Sequence, residues 1–257
     1  MKPFELLAEA HAPDGTLLTL HRHDGSYVLR VDGVELMSSR RTNSEIRLAQ
    51  LVCAPLQGRT GIRVLIGGLG LGFTLLETMR LLPPDAHIVV VEIVQAVIDW
   101  NRDPRFALAG AALDDPRVEV VCDDVGTVLR DNPGAYDAIM VDVDNGAESL
   151  TTSGNAQLYI DAGIRQAVAA MRPGGMLAYW SADKDARFVK SLHRAGLHVE
   201  SQRVRAHTTS GGFYTLYVAR RSSEAINTQT GPASEPDAGS PHTPESVPPA
   251  TAPRDAT

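Results

Sequence analysis

Apolar and polar positions change rhythm along this chain. From Thr16 to Ser39 the stretch "TLLTLHRHDGSYVLRVDGVELMSS" alternates with the two-residue period of half-buried strands, interrupted at Asp24-Gly25 and Asp32-Gly33. Asp-Gly pairs favour the type I′ turns whose twist matches that of paired strands. Residues 1–40 are therefore expected to form a small antiparallel β-meander. "SEIRLAQLVCAPL" then carries helical spacing, with Ser44 placed to cap it. From Ile62 onward, short β-branched runs alternate with amphipathic stretches. "IRVLIGG", "AHIVVVEI", "RVEVVCDD", "YDAIMVDVDN" and "PGGMLAYWSA" read as strands. "LGLGFTLLETMRLL", "VQAVIDWNRD", "VGTVLRD", "GNAQLYIDAGIRQAVAAMR" and "KDARFVKSLHRAG" read as the helices between and after them, the fourth as one long helix.

Repeated strand–helix units demand a parallel sheet with right-handed crossovers. The last two apolar runs, "LHVESQRVRA" and "GFYTLYVARR", have no helix between them. A sheet that ends in an antiparallel hairpin marks the α/β, Rossmann-like class I methyltransferase fold, with seven strands. The expected organisation is a meander over 1–40, this domain over 41–221, and a tail over 222–257. The tail holds seven of the 16 prolines, no aromatic residue, and five acids against Arg254 alone. Such a stretch buries too little apolar surface to offset its ordering entropy, so it is expected to be disordered.

Composition narrows the partners. Net charge is −7 and no Lys/Arg cluster is dense enough to track a phosphate backbone, so nucleic acid is not expected. No run approaches the ~20 apolar residues of a membrane span, and the acid-bearing start does not read as a signal peptide. Two cysteines, Cys53 and Cys122, imply no disulfide framework and fit a reducing, cytoplasmic setting. The histidines show no metal-ligand spacing and there is no Gly-x-Ser-x-Gly elbow, so neither a metal nor hydrolase chemistry is expected. A small-molecule partner remains, and the meander offers a free edge that a homodimer could pair.

The candidate chemistry sits at strand ends. "GGLGLGF" follows the first strand and opens a helix, so Gly68, Leu69, Gly70 and Gly72 form a tight turn that a ligand can approach closely. Glu92 and Ile93 end the next strand, with the acid 20 residues beyond Gly72, a spacing that suits the two ribose hydroxyls of a nucleoside. Both NAD and S-adenosylmethionine use this layout. Asp123 and Asp124 end the third strand, where S-adenosylmethionine sites commonly place an acid beside the adenine amino group. Asp123 is the expected acceptor of that group and Asp124 the one facing solvent, although both could cap the next helix. The fourth strand ends in Asp142-Val143-Asp144-Asn145. Alternation puts Asp142 and Asp144 on one side, where they could hold or deprotonate an amine, with Asn145 orienting it. The alternative for Asp144 and Asn145 is a plain turn. Trp180 ends the fifth strand and is a candidate wall of the acceptor pocket.

The runs "VLIGGLGLGFTLLE", "IVVVEIVQAVI", "VEVVCDDVGTVL", "YDAIMVDVDN" and "MRPGGMLAYW", with the preceding "YVLRVDGVELMSS", resemble the spermidine synthase (polyamine aminopropyltransferase) family from about Asp14 to Arg220. The resemblance implies decarboxylated S-adenosylmethionine as cofactor and transfer of its aminopropyl group to an amine. It implies a cofactor site at Gly68, Gly70, Gly72, Glu92 and Asp123, and Asp142 as the carboxylate that activates the acceptor. It also aligns Asn43-Ser44-Glu45 with the family's Tyr-His-Glu, making Glu45 a substrate-side residue. Leu71 stands where the family carries an Asp that binds the aminopropyl amine, and Asn145 where its strand-end motif carries a second Asp. These departures keep two alternatives open: an S-adenosylmethionine-dependent small-molecule methyltransferase, and a non-catalytic adenosyl-ligand-binding protein.

Overall fold

The structure, a computed structural model, describes residues 3–106, 108–143, 155–207 and 211–221. Strands β1 (Glu5–His11), β2 (Leu17–His23), β3 (Ser26–Val31) and β4 (Val34–Ser38) form a four-stranded antiparallel sheet in chain order. Asp24 and Gly25 have φ of 49° and 76°, and Asp32 and Gly33 have φ of 47° and 81°. Two successive residues in the left-handed region make each pair the type I′ hairpin its sequence calls for. Helix α1 (Asn43–Cys53) follows. Its cap is Thr42, not Ser44. Ser44 lies inside the first turn, buried, and turns its hydroxyl to the Glu45 carboxylate.

The second sheet contains β5 (Arg63–Gly67), β6 (His87–Glu92), β7 (Val118–Cys122), β8 (Tyr136–Val141), β9 (Met171–Ser181), β10 (Leu197–Arg205) and β11 (Phe213–Arg221). Its seven strands run in the order β10-β11-β9-β8-β5-β6-β7. β11 pairs antiparallel with β9 and β10, and the remaining pairings are parallel. This is the expected Rossmann-like sheet closed by a hairpin. The order reverses between β5 and β8, and ligands of open α/β sheets bind beyond the carboxyl ends at such a switch point.

Helices α2 (Phe73–Leu81), α3 (Gln95–Arg102) and α4 (Gly110–Leu113) lie between β5 and β7 in the chain. Helices α5 (Val125–Asp131), α6 (Asp161–Ala170) and α7 (Ala186–Arg194) connect the rest. The sheet strands read as continuous apolar runs because both faces are covered. Val64 and Ile66 of β5 join one core with the meander and α1, while Leu65 of the same strand joins another with Val128, Ile164 and Phe188.

The single long helix expected over "GNAQLYIDAGIRQAVAAMR" is instead a short 3₁₀ turn (Asn155–Tyr159) followed by α6. The chain folds back so tightly that a Cβ on Gly163 would stand 2.2 Å from the Gln157 carbonyl oxygen. Only glycine admits that approach. At the amino ends of the strands, buried Asp137 accepts hydrogen bonds from Arg59 at 2.6 Å, Arg172 at 2.6 Å and the Arg63 N–H at 2.9 Å. The expected tail, from Ser222 onward, lies outside the described residues.

Candidate active site

The glycine loop is held open by backbone that side-chain-bearing residues rarely adopt. Gly68, Gly70 and Gly72 have φ of 95°, 51° and 83°. A Cβ on Gly68 would stand 2.4 Å from the Asp142 carbonyl oxygen, and one on Gly72 2.2 Å from the Ala109 Cβ. Asn101 braces the loop: its Nδ2 donates to the Gly70 carbonyl at 2.8 Å and its Oδ1 accepts the Ala109 N–H at 3.2 Å. Gly68 donates its N–H to Val91 and Asp142 donates its N–H to Gly67, each at 2.8 Å, so the loop and the end of β8 are locked together.

Around that junction lies a cleft of about 900 Å³, counting space open to solvent. Gly68, Leu69, Gly70, Glu92, Ile93, Asp124, Asp142, Trp180 and Glu45 all line it. Gly72 does not; it precedes the first residue of α2 and fixes that helix's entry. The acid pair after β7 is reversed from expectation. Asp124 lines the cleft and also caps α5, its Oδ1 accepting the Thr127 N–H at 2.8 Å. Asp123 is exposed and borders a separate depression with Arg63 and Glu119. Its carboxylate accepts the Asp124 N–H at 2.7 Å, and the chain bends there so that the second acid points inward. Leu71 is fully packed in the core, so its side chain is not presented to the cleft. Asp144 and Asn145 lie outside the described residues.

Glu92 is buried, with its Oε2 accepting the Leu69 N–H at 3.1 Å and its Oε1 the Val94 N–H at 2.9 Å. Burial pushes its carboxyl upward, and backbone N–H groups of Val94, Leu69, Gly70 and Ile93 pull the other way. Asp142 is pushed up to about 7, by burial first and then by the charge of Glu45; a hydrogen bond donated by the Thr74 hydroxyl opposes the rise. Burial likewise raises Glu45, against the hydroxyl of Ser44, which donates to its Oε2 at 2.6 Å. The Glu45 charge raises Asp142 because two carboxyl groups in one cavity cannot both ionise freely.

Sequence reasoning missed the roof. Leu18, Leu29, Leu36 and Met37 of the meander line the cleft, and the Met37 sulfur stands 2.6 Å from where a Gly70 Cβ would be. Alternation marks these as one apolar face but does not say what it covers. Thr74, Asn101 and Asn155, the last buried and also lining the cleft, carried no motif signal. Tyr159 serves the site indirectly, donating its hydroxyl to the Trp180 carbonyl at 3.0 Å and tying the 3₁₀ turn to the end of β9.

A seven-stranded sheet of this order, with a cleft at its switch point under a β-meander roof, defines a Rossmann-like methyltransferase fold. Residues 23–186 match the spermine/spermidine synthase domain, and the chain belongs to that family. It is similar to putrescine N-methyltransferase 4 of Nicotiana tabacum, 38% identical over 117 residues that cover 45% of this chain and 28% of the relative. It is also similar to the polyamine aminopropyltransferase of Mycobacterium tuberculosis, 28% identical over 194 residues that cover 70% of this chain and 35% of the relative. The chain thus spans about a third of the length of these curated relatives. In fold it resembles the spermidine synthase of Thermotoga maritima, with a TM-score of 0.66 at 17% identity over 85% of this chain and 73% of that one. A spermidine synthase solved with the transition-state analogue AdoDATO gives a TM-score of 0.63, also at 17% identity over 85% and 73% of the two chains.

Proposed function

We propose that this chain transfers an aminopropyl group from decarboxylated S-adenosylmethionine to a small amine. The observation that carries this reading is the charge of the cleft. Glu45, Glu92, Asp124 and Asp142 line it, and its described lining residues include no Lys, Arg or His. Carboxylates attract a donor that carries a sulfonium and an ammonium and no carboxylate of its own. They repel the amino-acid carboxylate of the undecarboxylated form. The residues fit an adenosyl group: the glycine loop leaves its backbone bare, and Glu92 and Asp124 keep acceptor capacity beyond the N–H groups they already hold.

When bound, the cofactor supplies a carbon attached to a good leaving group. The protein's part is alignment and removal of one proton. Thr74 occupies one oxygen of Asp142, which leaves the other for the acceptor. Glu45 adds charge that draws an ammonium to this point. Asp142, raised to about 7, is a better match as base for an ammonium than an ordinary carboxylate. The acceptor gives its proton to Asp142 and its nitrogen lone pair forms the new C–N bond. The C–S bond breaks and its electron pair leaves on the thioether sulfur.

A second reading, methyl transfer from S-adenosylmethionine to an amine, has its own support. Leu71 is packed in the core, so the glycine turn lacks the carboxylate that would grip a free aminopropyl amine. The relatives at 38% identity are putrescine N-methyltransferases. Calorimetry with both cofactor forms, followed by mass spectrometry of products across a panel of amines, separates the two. Tighter binding of the decarboxylated form and an aminopropylated product support the first. Tighter binding of S-adenosylmethionine and a methylated product overturn it in favour of the second.

A further inference from the structure

We infer that the acceptor is a monoamine with an apolar tail and not a diamine. The inference rests on the transferase reading above and concerns the roof of the same cleft. The cleft's acids among the described residues are gathered on the Rossmann side: Glu92 at the end of β6, Asp124 before α5, Asp142 after β8 and Glu45 on α1. Glu92 and Asp124 already hold backbone N–H groups of the loops that carry them, leaving Glu45 and Asp142 as the pair at the point of transfer.

The roof is built differently. Leu29 of β3 pairs with Met37 of β4 and with Leu20 of β2, so Leu18, Leu29 and Met37 lie along one band across three strands. Leu36 joins them, and Trp180 at the end of β9 adds an aromatic face steadied by Tyr214 with ring centroids 4.7 Å apart. All five of these side chains line the cleft and none can accept a hydrogen bond from an ammonium through a charged group. An amine held by the acid pair extends its remaining atoms along this apolar surface. A second ammonium against these five side chains exchanges water for hydrocarbon, and among the described residues of this roof no charged group offsets the loss. A methylene in the same place is favoured, raising affinity about fourfold for each one fully buried.

The test compares hexylamine and phenethylamine with 1,4-diaminobutane and 1,6-diaminohexane, using the full chain. Both kcat/KM and calorimetric binding in the presence of 5′-methylthioadenosine, the carboxylate-free adenosyl thioether that aminopropyl transfer leaves, are read. The expected result is at least a tenfold preference for hexylamine over 1,6-diaminohexane in both readouts. Leu36→Glu, at a half-buried position of β4, is expected to narrow or reverse that preference by giving the second ammonium a partner. If either diamine outcompetes both monoamines while cofactor binding and turnover are intact, the inference falls and the transferase reading stands. If no adenosyl ligand binds and no amine is alkylated, the transferase reading falls and takes this inference with it.

Discussion

Glu45 and Asp142 reach one cavity from opposite parts of the sequence, each with a hydroxyl donor of its own: Ser44 for the first, Thr74 for the second. Burial raises both carboxyls, and the Glu45 charge raises Asp142 further. The pair therefore holds a proton more readily than either acid would alone, and an arriving ammonium relieves the strain between them. Asp142→Asn keeps shape and the Thr74 contact but removes the base. It is expected to lower kcat by about 10²–10⁴-fold, the usual contribution of a positioned general base, with cofactor affinity changed by only a few-fold. Single-turnover kinetics beside calorimetry check both halves. Unchanged kcat would remove Asp142 from its proposed role.

The same pair predicts a pH dependence with a definite sign. Asp142 must be ionised to act as base, so kcat/KM should rise through a limb near pH 7. Stability should move oppositely. A carboxyl raised in the folded state from an ordinary value near 4 to about 7 contributes stability that is full below the lower value and lost as pH climbs through the higher. Thermal midpoints of the wild type should therefore fall between about pH 4 and pH 8 relative to Asp142→Asn. A parallel course for the two proteins would contradict the assignment.

Asp123 and Asp124 offer a paired comparison. Asp124→Ala removes an N-cap, with an expected cost of about 1 kcal/mol in stability, and strips a carboxylate from the cleft. Its adenosyl-ligand affinity should drop at least tenfold. Asp123→Ala lies on the far side of the turn and should leave that affinity within twofold. Calorimetry with 5′-methylthioadenosine reads the difference directly, and an equal loss in both variants would sink the reversal.

Gly68→Ala is expected to be more harmful than its size suggests. Its φ of 95° is strained for any side chain, and its Cβ would press on the Asp142 carbonyl at 2.4 Å. Loss of about 1–3 kcal/mol in stability should accompany a fall in turnover, because the backbone that moves carries the base. Chemical denaturation and kinetics on one preparation check this. A variant with wild-type turnover would show that the loop and strand end are not coupled.

The sheet was legible because burial on both faces forces β-branched runs, and the hairpin was legible because Leu197–Arg205 and Phe213–Arg221 follow one another without a helix. Glu92 could be found by its spacing from the glycine turn. What sequence could not settle was direction within a turn. Asp123 and Asp124 are adjacent and chemically alike, and only the local bend decides which points inward. The break before α6 was equally hidden, since Gly163 looks like a tolerable helix residue until the crossing at Gln157 is known. The roof residues gave an apolar period without an address, because their partners lie in strands made much later in the chain.

That last ordering has a consequence for biogenesis. The meander leaves the ribosome before any strand of the Rossmann sheet, and domains are made amino end first. Leu18 and Leu29, together with the rest of that apolar band, must wait without cover while β5 to β9 are translated and assembled. During that interval the nascent chain exposes a greasy ribbon with an open edge, and chaperone capture in the cell is expected to concentrate there.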